Sequence, residues 1–222
     1  MIPLSWRPSP RVPSPRVLIS TALGVLGVLL ILGAAWFWYS AQQERAQSVH
    51  AEALAQAAAA RGGPSPNPAA AGAAIQALEA ALARAPGAAL AGQSAYELGN
   101  LRFDAGAYPA ARAAYEIAVA KAGSPTIRTL ARAGVATAWE AQQDFPKAAA
   151  AYSAAVDNEK AGQFYYEDLL VGLGRTQELS GRRDDAIQTY KRLLKDVAKP
   201  RRESEIRGRL ASLGTPGDPI PR

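Results

Sequence analysis

The chain has 222 residues and a formal net charge of +6, from 25 Lys and Arg against 19 Asp and Glu. It carries one His and no Cys, which excludes disulfides, thiolate metal sites, Cys nucleophiles, a Cys-linked lipid anchor and paired-His zinc motifs. Apolar residues make up 49% of the chain and more than one residue in five is Ala; the length allows one domain of moderate size, or one domain plus a membrane segment.

Residues 1–16 contain Arg7, Arg11 and Arg16, no acid, and prolines at 3, 8, 10, 13 and 15. The run that follows, 17–39, carries no charge at all and ends in Trp36, Phe37, Trp38 and Tyr39. As a helix this run is about 34 Å long, enough for a hydrocarbon core of about 30 Å, and its aromatic end suits the headgroup interface. The positive-inside rule keeps the Arg-bearing tail cytoplasmic and sends the rest of the chain across the membrane. A cleavable signal ending near Gly33-Ala34-Ala35 competes poorly, because a signal core has only about 7–15 apolar residues. A mitochondrial presequence needs an amphipathic helix, which the prolines of the tail would break.

Residues 40–61 continue with helical spacing (Ala46, Val49, Ala53, Ala57) and read as a juxtamembrane helix with His50 on its surface. Residues 62–68, rich in Pro and Gly, read as a linker. Residues 69–214 read as helix after helix with no alternating stretch that needs to be a strand, and residues 215–222 read as a frayed tail.

A repeat runs through the helical region. Ala111-x3-Tyr115-x2-Ala118, Ala148-x3-Tyr152-x2-Ala155 and Ala186-x3-Tyr190-x2-Leu193 share one internal spacing and recur at a nearly constant interval. Ala74, Leu78 and Ala81 stand one interval further upstream. Leu98-Gly99, Val135-Ala136 and Leu173-Gly174 precede the three Ala markers, each at about the same distance. Gly106 and Gly181 mark turns, where the middle unit has Gln143. Pro109 and Pro146 fall in the first turn of the following helix, and Asp184 and Asp185 suit the positive end of theirs. Small residues at 99, 111, 118, 136, 148, 155, 174 and 186 would let helices approach closely, with Tyr115, Tyr152, Tyr190, Leu98, Val135 and Leu173 between them.

These residues resemble the tetratricopeptide repeat (TPR), with three units over residues 90–200 and a half-unit before them. The period is slightly longer than the usual one, and Leu193 stands where a small residue is usual. Residues 201–213, with Ile206, Leu210 and Leu213 on one face, read as a capping helix. The expected fold is therefore all-α: a transmembrane helix followed by a TPR-like α-solenoid of helix pairs.

No catalytic constellation is visible, and no cofactor, metal or small-molecule substrate is expected. Gly172-x-Gly174 follows no strand, so it is not a phosphate loop. The pairs Asp157/Glu159, Glu167/Asp168 and Asp184/Asp185 lack a third metal ligand at fixed spacing. Residues 1–40 carry +3, residues 41–181 carry −2 and residues 182–222 carry +5. The basic end reads first as a solvated face with interspersed acids, then as a contact for an anionic partner; nucleic acid is not expected.

The TPR resemblance implies a groove lined by the first helices of the pairs. It assigns Tyr96, Asn100, Phe103 and Asp104 to that groove, then Leu130, Ala133, Thr137 and Glu140, then Asp168, Val171, Arg175 and Glu178. The set suits a peptide or a partner helix, and it lacks the Lys/Asn/Arg combination of carboxylate-clamping TPR proteins. The layout as a whole resembles the single-span bacterial inner-membrane proteins with periplasmic TPR-like domains, the ancillary Sec-translocon subunit family. That resemblance implies a non-enzymatic scaffold linking a membrane complex to exported polypeptides or periplasmic chaperones. A structural accessory subunit of another membrane or envelope complex is the alternative.

Overall fold

The computed structural model describes residues 15–62 and 67–214. Most of the basic tail, the centre of the linker and the 215–222 tail lie outside the described residues. Among the described residues there are nine α-helices and no strand. They are α1 (Pro15–Arg61), α2 (Pro68–Arg84), α3 (Ala91–Asp104), α4 (Tyr108–Lys121), α5 (Pro125–Ala141), α6 (Phe145–Asp157), α7 (Tyr166–Leu179), α8 (Arg183–Asp196) and α9 (Glu203–Ser212). The chain divides into two compact units, Met1–Arg45 and Ala46–Arg222.

In the first unit the large apolar side chains of α1 that are described are all exposed. Leu30, Ile31, Trp36 and Phe37 are all more than 60% exposed. An apolar surface this continuous is not stable against water, so the helix needs an apolar surrounding or a partner. It is long and apolar enough to cross a membrane.

The helices of the second unit start and stop where their local chemistry directs. The Asn67 side chain accepts from the Ala70 N–H at 3.1 Å, with Pro68 at the first helical position. Ser124 and Asp144 cap α5 and α6 in the same way, each followed by Pro in the first turn. The three turns within the pairs all pass through the left-handed region, at Gly106 (φ +74°), Gln143 (φ +61°) and Gly181 (φ +75°). The Gln that replaces Gly therefore adopts the conformation that Gly takes without steric cost.

From α2 onward each helix packs on the next, and α3 touches α5 as α5 touches α7. All eight small positions named from the repeat are buried, as are Tyr115, Tyr152, Tyr190, Leu98 and Leu173; Val135 is half-buried. In α9, Ile206 and Leu210 join the core and Leu213 is partly buried against it.

The last third of α1 is part of this unit. Ala53 and Ala57 pack with Ala74, Leu78, Ala81, Leu98 and Leu101. His50 is fully buried, contrary to its reading as a surface residue. Its Nε2 lies 2.9 Å from the Ala85 carbonyl and its Nδ1 lies 2.8 Å from Ser94 Oγ. A carbonyl only accepts, so Nε2 is the donor to Ala85, and the Ser94 hydroxyl faces Nδ1.

Candidate protein-binding face

Each signature tyrosine is seated in a slot cut by glycine. A Cβ on Gly99 would stand 2.5 Å from the Tyr115 ring, and one on Gly134 would stand 2.8 Å from the same ring. Gly172 faces Tyr152 at 2.6 Å in the same sense, and Gly174 faces Tyr190. Helices α3, α5 and α7 can therefore close on the rings because no methyl intervenes. Gly172 and Gly174 owe their place to this packing. Gly134 and Gly172 were not among the small positions named from the repeat, yet they stand one repeat interval apart.

The tyrosine hydroxyls then reach polar residues of the first helices. Tyr115 donates to Asn100 at 2.9 Å. Tyr152 lies 3.1 Å from Thr137 Oγ1 and donates to Glu140 at 3.2 Å. Tyr190 donates to Glu178. Burial is the main cause that raises all three phenol pKa values, that of Tyr152 to about 12.

Charged members of the proposed face are tied to neighbouring helices. Arg175 Nη2 donates to Glu140 Oε2 at 2.8 Å, and Arg175 Nε stands 2.8 Å from Glu140 Oε1, so α7 is bridged to α5. Arg209 of α9 reaches Glu178 at 3.2 Å. Arg61 at the end of α1 reaches Glu97 at 3.0 Å and Asp104 at 3.8 Å. Asp168 accepts from Arg201 at 2.6 Å. Sequence spacing within one helix does not reveal such pairs, because the partners belong to different elements.

The remaining positions differ in what they offer. Tyr96 is half-buried with its ring 5.9 Å from that of Tyr115, and Phe103 is half-buried with its ring 5.2 Å from that of Tyr108. Leu130 is half-buried. Ala133 and Val171, assigned to the groove by the repeat pattern, are only 5% and 2% exposed and belong to the core. Their side chains therefore offer a partner little surface. Among the described residues no three His, Asp or Glu side chains cluster as metal ligands do.

No protein-family model matches the sequence, and no curated protein matches it either. The class that can be stated is an all-helical protein with one N-terminal helix long and apolar enough to span a membrane.

Proposed function

We propose that this chain is a membrane-anchored, non-enzymatic protein-interaction scaffold whose second unit is a TPR-like array. The observation that carries the reading is the recurrent seating of Tyr115, Tyr152 and Tyr190 in glycine slots, with α3, α5 and α7 side by side. Consecutive first helices arranged this way offer a partner a continuous face, which is how helical repeat arrays bind. Tyr96, Phe103, Leu130 and Asp104 supply its accessible aromatic, aliphatic and acidic groups. The membrane is the bacterial inner membrane, with the basic tail cytoplasmic and the helical unit periplasmic. The partners are a membrane complex such as the Sec translocon together with exported polypeptides or chaperones.

Photo-crosslinkers at Phe103 and Leu130 test the face. Capture of changing clients or chaperones is expected, and absence of translocon components from the purified complex would remove the family reading. A single stoichiometric neighbour would favour the structural-subunit alternative. The internal Glu140–Arg175 and Glu178–Arg209 pairs give that alternative some support, since they leave less free charge for passing clients. Orientation has a clean probe because the chain has no Cys. A single Cys at exposed Ala150 is expected to react with an impermeant thiol reagent from the periplasmic side, and protection from it would reverse the topology.

A further inference from the structure

The loop between α6 and α7 and the strap between α8 and α9 enclose a cleft of about 370 Å³, walled by residues 162–168 with Val197 and Arg201. Phe164 is 60% exposed at its edge, its ring 5.5 Å from that of Tyr165. Large exposed aromatics are otherwise confined to the apolar part of α1 among the described residues. The charges around the cleft are layered. Its carboxylates lie inside: Glu167 and Asp168 side chains are only 11% and 19% exposed. Its cations lie outside: Arg201 and Arg202 side chains are 69% and 45% exposed, and Lys160 and Lys199 are exposed as well. Arg201 Nη2 and Nε are turned inward to Asp168 and Glu167 at 2.6 and 3.5 Å, and Arg202 Nη2 stands 3.5 Å from Asp168, so both arginines anchor the strap and Lys160 and Lys199 are the exposed cations beside it.

We propose that this cleft docks an extended acidic segment of a protein partner that carries an aromatic or large aliphatic side chain. The apolar side chain packs on Phe164 and Tyr165, and the flanking carboxylates meet Lys160 and Lys199, while Arg201 and Arg202 hold the inner acids. Charge complementarity selects the partner's sign, because an approaching segment meets the exposed cations before the shielded acids. The concave shape selects an extended chain over a flat bilayer surface. The cleft shares Asp168 with the face proposed above, but its docking contacts involve none of Tyr96, Phe103 and Leu130.

The test uses the full chain in zwitterionic-lipid nanodiscs and a fluorescently labelled peptide alternating Glu with Phe and Leu. Its Lys-for-Glu counterpart and vesicles containing anionic lipid serve as the comparison ligands. Saturable binding of the acidic peptide is expected, with weakening as salt rises past the screening range. Lys160→Glu combined with Lys199→Glu should weaken binding roughly tenfold or more. Phe164→Ser should weaken it by roughly tenfold. These side chains are exposed, so the variants should fold, and unchanged circular dichroism confirms it. Equal binding of the basic peptide, indifference to both variants, or binding to anionic vesicles without peptide binding would each overturn the proposal. Crosslinking at Phe103 and Leu130 is untouched by these variants, so the two readings fail separately.

Discussion

In the front half of the helical body, from the end of α1 to α4, the buried positions are mostly alanine. Ala53, Ala57, Ala74, Ala81 and Ala114 pack with Leu78, Leu98 and Leu101. In the back half, from α6 to α9, the core sets Tyr166, Leu169, Leu170, Leu173, Tyr190, Leu193, Ile206 and Leu210 among alanines such as Ala149, Ala155 and Ala186. The front gains its stability from close backbone approach and the back from buried area. A buried Leu or Phe side chain contributes about 1.5–3 kcal/mol and an alanine methyl far less. The front half should therefore be broken by adding atoms, and the back half by removing them.

The largest expected effect lies in the back. Tyr190→Ala empties a fully buried site and loses the bond to Glu178, so a cost of about 3–5 kcal/mol is expected in urea unfolding of the full chain in detergent. A loss below that of an exposed substitution would refute the contrast. In the front, Gly92→Ala places a methyl against the main chain of Lys121 and Ala122, which cannot swing aside as a side chain can. A cost of roughly 1–3 kcal/mol follows, with hydrogen exchange quickening in α3 and α4 first.

His50→Ala sharpens the same contrast at the polar seam of the front half. It strands the Ser94 hydroxyl and the Ala85 carbonyl, and should cost roughly 1–3 kcal/mol, with exchange rising over residues 46–61. Unchanged protection there would detach this part of α1 from the core. Alkali should act at the tyrosine slots. The Tyr152 phenol is raised to about 12, by burial first and with the Glu140 charge adding to it. The folded chain keeps that proton longer than the unfolded one, so this contribution is complete below about pH 10 and is lost as pH rises toward 12. Ultraviolet titration of Tyr152→Phe against the parent protein reads it directly. The smallest effect is a gain: Gln143→Gly relieves a left-handed backbone and should raise stability by about 0.5–1 kcal/mol.

Much of the fold was legible because it rests on local rules. Small residues recurring at one interval, Pro in first turns and Gly at turns are consequences of backbone sterics, and the helices begin and end accordingly. The burial of His50 was not legible. One His among the Ala and Gln of a juxtamembrane helix looks like surface until Ser94 and Ala85, far along the chain, supply its partners. The candidate face is drawn from the repeat, which marks which helices could line it. Its electrostatics were not legible, because Arg61, Arg175 and Arg209 each find a carboxylate on another helix.

The sequence by itself determined the apolar run, the helical class, the turn positions and the tyrosines that fill the pairs, since each depends on residue type and short spacing. Only the tertiary structure decided which glycines receive which rings, that Ala133 and Val171 are buried, and that α1 carries a buried His into the helical unit. It also set the exposed basic strap over shielded acids beside Phe164. Those outcomes depend on distances between residues far apart in the chain, which packing alone sets.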